Sequence, residues 1–456
     1  MSGYSFRDKT GWGPTSENAP GQFAEEMVMT IRPQFTFGLL FPTFALVMLG
    51  VLTMLAPAPG LAQTLTVLHT FTGNRDGGYP EAGLTIDRAG NLYGTTYDGG
   101  YPYYGNVFKV THTGSSWVLT PLYTFDGTHG SYPQARVVFG PDGALYGTTA
   151  AGGQGTCYYE GSGCGVVFKL QPPATECHSV LCPWTQTVIH YFKDDPDGAT
   201  PGFGDVIFDQ QGRLYGTTWR GGSGYERGGT LYQLTPSNGY WTSSILHNFG
   251  DETGSWPLGG TSFDASGNLY GTTWFGGTGN GVVYQMMPSG SGWQYNVIHQ
   301  FDGTDGNSAK AALFQDATGN FYSTTEGGGT DGVGVVFEMR SSGGSWTYNL
   351  LYNFLGSQFD DGPLSPLISD AQGNLYGDTL DGGVYGNGSV FKLTPTEAGW
   401  VYTSLHNFNC SGPEGCGIFG PLVMDAQGNI YGTSNGGGNA DCGNGYGCGT
   451  VWEITP

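Results

Sequence analysis

The sequence is organised around the phrase Asn91-Leu-Tyr-Gly-Thr-Thr96, which recurs with small changes along the chain. The tyrosines of its seven copies are Tyr93, Tyr146, Tyr215, Tyr270, Tyr322, Tyr376 and Tyr431. Successive tyrosines are 53, 69, 55, 52, 54 and 55 residues apart. A repeat of nearly constant length is typical of an array of small units, because a unit of this size cannot bury its own apolar surface alone.

Each repeat predicts four β-strands. In the first repeat, residues 83–87, 91–96, 106–110 and 117–125 form extended runs separated by turns rich in Asp, Asn and Gly. The runs are apolar on both faces, so we expect each sheet to be covered on both sides by its neighbours. Four-stranded antiparallel sheets that stack face to face around an axis form a β-propeller. The pattern therefore predicts an all-β fold with seven such blades.

The two ends of the repeat array indicate how the ring closes. Residues 64–71 match a fourth strand that has no preceding three, and residues 451–456 match a third strand that has no fourth. Pairing these two segments would complete the seventh blade and remove a free sheet edge. We therefore predict a single seven-bladed β-propeller domain over residues 63–456, closed by pairing of the N-terminal and C-terminal strands.

Composition restricts the partners. The chain has 456 residues, of which 83 are Gly, 14% are aromatic and only 11% are charged, with a formal net charge of −22. An acidic protein repels phosphate backbones, so nucleic acid is not expected as a partner. Cations, sugars and basic proteins remain compatible with this charge.

The amino-terminal segment predicts export. Residues 35–55 are largely apolar, Arg32 precedes them, and small residues at Gly60 and Ala62 would permit cleavage before Gln63. Residues 1–62 are therefore predicted to be a signal peptide, or an uncleaved signal anchor, with an atypical N-terminal extension. The expected location is secreted, extracellular or at the surface of a bacterial cell, with membrane contact only through an uncleaved N-terminal segment.

The cysteines support this prediction of export. All eight lie beyond residue 62 and form four close pairs. An even number, local spacing and export together favour disulfides over a zinc site. The predicted pairs are Cys157 with Cys164, Cys177 with Cys182, Cys410 with Cys416, and Cys442 with Cys448.

Aromatic residues in the loops are the first candidates for a binding site. The residue after each Thr-Thr pair varies between repeats, and it is Tyr97, Trp219 or Trp274 in three of them. Together with the neighbouring Phe275, these rings offer flat faces for sugars or cations. The alternative is that the rings only pack between blades. Long loops on a rigid scaffold are where binding usually resides.

Acidic loop residues give two further hypotheses. Glu326 and Asp381, in adjacent blades, are candidate ligand-binding residues and could serve as a carboxylate pair for glycoside cleavage. Ca²⁺ could bind through carboxylates in two short Asp-rich loops, although Asp-Gly is also ordinary turn chemistry. The weak metal candidates in these loops are Asp194, Asp197, Asp302 and Asp305. No cofactor is otherwise expected.

A periodic histidine is predicted to be architectural. It occupies one position in the fourth strand, where Tyr123 and Tyr352 stand in other repeats, and free exchange with Tyr argues against catalysis. The histidines at this position are His69, His190, His247, His299 and His406. No nucleophile elbow or phosphate-binding loop is present in the sequence.

The combined motif resembles a known family. Gly-Asn-Leu-Tyr-Gly-Thr-Thr, then Gly-Gly, then Gly-Val-Val-Phe-Lys-Leu and Leu-Tyr-x-Phe recur over residues 64–456. This pattern is similar to the GloVer extracellular tandem-repeat family of exported bacterial proteins. The resemblance implies location and fold, and it carries no catalytic residues over to this chain.

Three functions remain open from the sequence. The preferred one is an exported, non-catalytic binding or scaffold protein, monomeric, which takes a glycan or protein ligand on one loop face. The first alternative is an extracellular polysaccharide lyase or glycoside hydrolase, which would gather ionisable side chains with shifted pKa values at the mouth of the central channel. The second is a purely structural surface repeat protein.

Overall fold

The computed structural model of the protein describes residues 63–157, 163–173, 184–223, 227–290, 292–356, 362–438, 442 and 445–455. These ranges form a seven-bladed β-propeller of four-stranded antiparallel sheets. They contain no α-helix, and hence no helix that could cross a membrane. The prediction of an all-β fold with seven blades is confirmed. The predicted export segment, residues 1–62, lies outside the described residues.

The first four blades follow one another along the chain. Blade 1 contains β2 (Thr85–Ile86), β3 (Leu92–Thr96), β4 (Asn106–Thr113) and β5 (Ser116–Thr124). Blade 2 contains β6 (Val138–Phe139), β7 (Leu145–Thr149), β8 (Val166–Gln171) and β9 (Thr185–Tyr191). Blade 3 contains β10 (Ile207–Phe208), β11 (Leu214–Thr218), β12 (Thr230–Ser237) and β13 (Tyr240–Asn248). Blade 4 contains β14 (Thr261–Phe263), β15 (Leu269–Thr272), β16 (Val282–Ser289) and β17 (Gly292–Gln300).

The last three blades have the same order of strands. Blade 5 contains β18 (Phe314–Gln315), β19 (Phe321–Thr325), β20 (Val335–Ser342) and β21 (Ser345–Asn353). Blade 6 contains β22 (Ile368–Ser369), β23 (Leu375–Thr379), β24 (Ser389–Thr396) and β25 (Gly399–Asn407). Blade 7 contains β26 (Val423–Met424), β27 (Ile430–Ser434), β28 (Thr450–Thr455) and β1 (Thr64–Thr70).

The ring closes as predicted, with the N-terminal strand in the last blade. Strand β1 pairs antiparallel with β28, and the register places Val67 opposite Trp452. The hydroxyl of Thr433 in blade 7 also donates a hydrogen bond to the carbonyl of Ala82 in blade 1, at 2.9 Å. Blade 7 therefore joins both ends of the repeat array, and β28 has no free edge.

Burial differs between the strands of a blade. The second strand is fully buried, as β3 and β7 illustrate, whereas alternate residues of the fourth strand β5 reach solvent. The prediction that every strand is apolar on both covered faces is therefore wrong for the fourth strand. Blades radiate from an axis, so they diverge towards the outside and leave the outer strand partly uncovered. The first strand is also shorter than predicted, with only two residues in β2.

The tyrosine of the repeated phrase anchors the turn that precedes it. In all seven copies its hydroxyl donates a hydrogen bond to the aspartate of that turn, over 2.8–3.1 Å. In the first copy Asp87 also accepts the backbone N–H groups of Ala89 and Asn91, each at 2.9 Å. Burial would raise the pKa of Asp87, but the hydrogen bonds from Asn91 and Tyr93 outweigh it and lower that pKa.

The glycine of the phrase makes room for an aromatic ring on the third strand. A Cβ at Gly94 would lie 2.5 Å from the Phe108 ring, and one at Gly432 would lie 2.3 Å from the Trp452 ring. Both rings are completely buried. The tyrosine and the glycine of the phrase therefore each have a fixed partner within the blade, which accounts for their recurrence.

Candidate functional site

A cavity of about 450 Å³ lies where the seven blades meet. Each blade contributes to its lining through the connection that precedes its first strand, so the cavity lies on the face that carries the blade-to-blade loops. One lining residue from each blade in order is Glu81, Gln134, Phe203, Leu258, Lys310, Leu364 and Phe419. Trp219 and Trp274 add two rings from the loops after the second strand.

The same pair of backbone hydrogen bonds supports the mouth of this cavity in every blade. Each blade-to-blade connection has one residue with φ between 56° and 68°: Tyr79, Tyr132, Thr200, Trp256, Ser308, Gly362 and Gly417. Its carbonyl accepts a hydrogen bond, over 2.8–3.2 Å, from the residue after Thr-Thr in the same blade. Its N–H donates to a carbonyl of the preceding blade, over 2.7–3.2 Å. A left-handed conformation costs a non-glycine residue on the order of 1 kcal/mol, which these paired hydrogen bonds offset.

Two side-chain positions on this frame vary from blade to blade. The outer position is the residue after Thr-Thr: Tyr97, Ala150, Trp219, Trp274, Glu326, Leu380 and Asn435. The inner position is the second residue after the one with positive φ: Glu81, Gln134, Gly202, Leu258, Lys310, Leu364 and Phe419. Blade 3 has one extra residue here, Phe203, which lines the cavity. The backbone is thus constant while the side chains around the mouth differ.

Blades 3 and 4 form an aromatic wall. The ring of Phe203 meets Trp219 edge-on at 5.4 Å between centroids, and Trp219 meets Trp256 at 6.0 Å. Trp256 continues to Trp274 at 5.4 Å and to Phe275 at 5.0 Å. Phe203 and Phe275 are both more than one-third exposed. The wall therefore presents rings to solvent beside the cavity.

Cations hold two rings of this wall. The guanidinium carbon of Arg220 lies 4.0 Å from the ring centroid of Trp219, and the Lys310 Nζ lies 4.3 Å from that of Trp274. Lys310 also pairs with Glu326, with 2.7 Å between Nζ and Oε2. These contacts restrict the orientation of both indoles, which reduces the entropy that a ligand would have to remove.

An ion pair joins blades 2 and 3 at the cavity wall. The Arg136 backbone N–H and Nε donate hydrogen bonds to the two carboxylate oxygens of Asp205, at 2.9 and 2.7 Å. The side chains are only 27% and 20% exposed, so this charge-assisted pair is partly shielded from water. It fixes both residues against the lining.

Glu81 has a different environment. Its carboxylate accepts hydrogen bonds from the Gln134 Nε2 of blade 2 at 2.8 Å and from the Asn435 Nδ2 of blade 7 at 3.1 Å. Burial raises the pKa of Glu81, and the two amide donors offset this only in part. Glu81 is therefore a cavity-lining acid stabilised by neutral groups from the neighbouring blades.

A second unusual acid lies deeper, between blades 6 and 7. At four interfaces the first Thr of the Thr-Thr pair, or of Thr-Ser in blade 7, donates its hydroxyl to a backbone carbonyl of the next blade, from Thr95, Thr272, Thr324 and Thr433. Blade 6 has Asp378 instead, and the Ser365 hydroxyl donates to the Phe419 carbonyl at 3.1 Å. Asp378 is 1% exposed, and within the described residues neither of its oxygens accepts a well-formed hydrogen bond. Burial raises its pKa well above the ordinary value, and Ser365 lowers it only in part.

The structure brings together several of the residues proposed from sequence. Trp219, Trp274 and Phe275 belong to one aromatic wall. Glu326 lies beside this wall through Lys310, and its charge adds to the burial that raises the pKa of Asp381. A ligand-binding role for these residues stays a prediction.

Tyr97 is placed apart from them. Its ring stacks on Tyr132 at 4.9 Å, and it does not line the cavity. The packing alternative therefore describes the position of Tyr97 better than a place in the aromatic wall.

The Asp-rich loops have partners within the chain. Asp194 pairs with Arg227 at 3.2 Å, and Asp302 accepts the backbone and hydroxyl groups of Thr304. Asp197 and Asp305 pair with histidines. Across the described ranges, no group of three or more His, Cys, Asp or Glu residues is placed to hold a metal ion. Binding of Ca²⁺ to these loops stays a prediction.

The periodic histidines fasten the blade-to-blade loops. The His Nε2 to carboxylate distances are 3.2 Å for His69–Asp76, 3.0 Å for His190–Asp197, 2.9 Å for His299–Asp305 and 3.6 Å for His406–Glu414. In blade 3 the partner is a hydroxyl, because His247 Nε2 lies 3.3 Å from Thr253 Oγ1. Burial without a carboxylate partner lowers the pKa of His247 to about 4.

Three of the predicted disulfides are present. Cys157–Cys164, Cys410–Cys416 and Cys442–Cys448 are bonded, with Cα–Cα distances of 5.2, 4.9 and 5.5 Å. The pair Cys177 and Cys182 lies outside the described residues. The bonded pairs close loops on the cavity face.

Sequence reasoning missed the whole inner position and the cavity-lining residues next to it. Glu81, Arg136, Phe203, Asp205 and Lys310 line the cavity, yet none was proposed as a site residue. A signal for them was present in the sequence: each repeat has a short stretch between the loop and the first strand in which residue type changes while the flanking pattern stays constant.

Fold and site together define a class: a tandem-repeat β-propeller with one asymmetric cavity at its centre. The sequence profile described as the Gloeobacter/Verrucomicrobia repeat matches residues 48–187, 155–359 and 278–456. The chain belongs to this repeat family, which confirms the resemblance stated from the sequence. No curated protein matches the chain.

Solved structures that resemble this chain have low sequence identity to it. An ancestral GH74 enzyme has a TM-score of 0.52 and 14% identity, covering 82% of this chain and 47% of its own. A protein of unknown function from Dyadobacter fermentans DSM 18053 has a TM-score of 0.44 and 10% identity, covering 86% of this chain and 98% of its own. A protein described as a gluconolactonase has a TM-score of 0.39 and 14% identity, covering 76% of this chain and 95% of its own.

Proposed function

We propose that the protein is an exported, non-catalytic binding protein whose central cavity takes a carbohydrate. The observation that carries this proposal is the composition of the cavity: Phe203, Trp219 and Trp274 lie on one side, and hydrogen-bonding groups of Glu81 and Gln134 lie on another. A volume of about 450 Å³ is in the range of small-molecule sites. Sugars need both an apolar surface for the ring face and polar groups for the hydroxyls.

Export is supported by chemistry as well as by the amino-terminal sequence. Three disulfides close loops of the propeller, and such bonds persist in oxidising compartments rather than in the cytosol. An extracellular or cell-surface location follows as part of the proposal, and it agrees with a carbohydrate ligand.

Glycoside cleavage is the second candidate, because burial raises the pKa of both Glu81 and Asp381. A raised pKa suits a general acid. Two features weigh against the pair Glu326 and Asp381: Glu326 is neutralised by Lys310 at 2.7 Å, and Asp381 does not line the cavity. Binding without turnover is therefore preferred.

A glycan array probed with the full chain, purified after export from a bacterial host, tests the proposal. Wild type should bind a defined set of glycans, and Trp219→Ala should weaken binding about tenfold or more, since a stacked ring contributes on the order of 1.5 kcal/mol. Tyr240→Ala is the matched control, because Tyr240 is an 80% exposed ring at the start of β13, beside the β12–β13 turn on the opposite face.

The outcomes separate the candidates. Silence towards all glycans, or equal loss in the Trp219 and Tyr240 variants, would remove the support for carbohydrate binding in the cavity. Chromatography of each bound glycan after overnight incubation distinguishes the two candidates: intact glycan favours binding, and shortened glycan favours the hydrolase.

A further inference from the structure

The two cations that line the cavity pair with acids other than Glu81. Four ionisable side chains line it: Glu81, Arg136, Asp205 and Lys310. Arg136 is matched by Asp205 through two hydrogen bonds and a close guanidinium contact. Lys310 is matched by Glu326 just outside the lining, at 2.7 Å. These pairs occupy both cations of the lining, and Glu81 is left without an ion pair within the described residues.

The carboxylate of Glu81 is held in position by hydrogen bonds. Its two amide donors come from different blades, Gln134 from blade 2 and Asn435 from blade 7, and they hold the carboxylate between them. Amides satisfy the lone pairs but supply no positive charge. Within the described residues Glu81 forms no salt bridge, whereas Asp205 and Glu326 in the same region do. Leaving a shielded carboxylate without a counter-charge costs free energy that a bound cation would recover.

The rest of the cavity suits a cation attached to a flat ring. Phe203, Trp219 and Trp274 of the aromatic wall line the same cavity as Glu81 and offer an apolar surface to the ring that carries the cation. An anionic sugar would meet Glu81 and a protein with a formal charge of −22, so acidic glycans are disfavoured. A neutral sugar would leave Glu81 uncompensated.

We propose that the ligand is a sugar carrying a free ammonium group, with the ammonium paired to Glu81 and the sugar ring against the aromatic wall. This inference rests on the proposed carbohydrate-binding function and names its substrate class. The ammonium replaces the missing counter-charge, while Gln134 and Asn435 keep the carboxylate in position.

Titration calorimetry with two defined probes tests the inference. The probes are a glucosamine tetramer and its fully N-acetylated counterpart, which has no charge, each titrated into the purified full chain at pH 6, where the amines are protonated. Wild type should bind the glucosamine tetramer at least tenfold more tightly than the N-acetylated one. Glu81→Gln should remove this preference, because the amide side chain retains the shape but not the charge.

Controls separate this idea from the proposed function. Glu252→Gln removes the same charge from an exposed loop residue outside the cavity and should keep the preference. If both probes bind wild type equally, or if Glu81→Gln keeps the preference, the inference is overturned while carbohydrate binding stands. If neither probe binds and the glycan array is also silent, the proposed function fails with it.

A measurement on wild type alone covers the case in which Glu81→Gln does not fold. A cation beside Glu81 lowers its pKa, so at pH 4.5, where the amines are fully charged and burial keeps Glu81 more than half protonated, binding of the glucosamine tetramer should release protons. Calorimetry in two buffers of different ionisation enthalpy counts them. Proton release with glucosamine, and none with the N-acetylated tetramer, supports the inference, and the absence of release contradicts it.

Discussion

Replacing Asp378 by Thr should make the protein more stable at neutral pH. Asp378 is buried between blades 6 and 7 without a well-formed hydrogen bond to its carboxylate, at a place where the other six repeats have Thr. At four other interfaces the equivalent Thr hydroxyl donates to the carbonyl of the third residue after the one with positive φ, and in blade 7 that residue is Gly420, whose carbonyl is therefore the acceptor expected for the new hydroxyl. The substitution thus removes an unmatched acid and adds a donor.

The size of the gain has an upper limit set by pH. Burial raises the pKa of Asp378 above its ordinary value of 3.8, so the native state binds a proton that the unfolded chain releases at neutral pH. Holding that proton costs about 1.4 kcal/mol for each pH unit above the ordinary pKa, or at most about 4 kcal/mol at pH 7. An unsatisfied buried polar group costs about 1–3 kcal/mol by mutational data. The expected gain is therefore about 1–4 kcal/mol.

The direction in which the stability difference changes with pH tests the prediction more strictly than its size. A group with a raised native pKa contributes fully to stability below its unfolded pKa and loses that contribution as pH rises. The difference between Asp378→Thr and wild type should therefore be small near pH 4 and grow towards pH 7. Urea unfolding between pH 4 and pH 8, followed by Trp fluorescence, measures it.

A control in the same blade should show the opposite effect. Asp370 accepts hydrogen bonds from the Tyr376 hydroxyl at 2.8 Å and from the Asn374 side chain at 2.6 Å, and its pKa is lowered. Asp370→Asn should destabilise the protein at pH 7, by about 1–2 kcal/mol. A stability difference for Asp378→Thr that does not change with pH, or a loss of stability at pH 7, would refute the account of Asp378.

Three other perturbations test the fold. Because burial lowers the pKa of His247 to about 4, wild type should lose stability as pH falls from about 6.5 towards 4, and His247→Tyr should lose less over that window in urea unfolding. Replacing both Cys410 and Cys416 by Ser should cost roughly 2 kcal/mol in the same assay, and adding reductant to this variant should change less than adding it to wild type. Deleting β1 leaves an edge of β28 unpaired, so gel filtration should show association in place of a single monomer peak; an unchanged elution volume would contradict the closure.

The fold could be predicted because its determinants are local and repeated. The phrase around Tyr93 contains its own turn anchor, its space for an aromatic ring and its contact to the next blade, so the pattern alone indicates a blade. The unaccompanied strands at the two ends, residues 64–71 and 451–456, then predicted how the ring closes. The exposure of alternate residues in β5 was not predicted, because it depends on the divergence of the blades and not on the local pattern.

The site was predictable only in part, for a physical reason. Trp219 and Trp274 are next to the repeated phrase, so they could be aligned and proposed. The partners that give the cavity its character come from distant parts of the chain: Arg136 and Asp205 are 69 residues apart, and Glu81 and Asn435 are 354 apart. These residues become neighbours only when the blades close into a ring. The repeat in the sequence predicts that ring, but it does not predict which side chains meet across it.

At the mouth of the cavity the backbone is constant, whereas the side chains that a ligand would meet vary from blade to blade. This backbone is tied by the same hydrogen-bond pair in every blade, so the side chains at the inner and outer positions can be exchanged without disturbing the support. A propeller built in this way can acquire a new ligand through point substitutions alone, with no loop insertion and no change of frame. Exchanging side chains between blades, for instance placing a third indole at the outer position in place of Leu380, would be a direct route to altered specificity on the same scaffold.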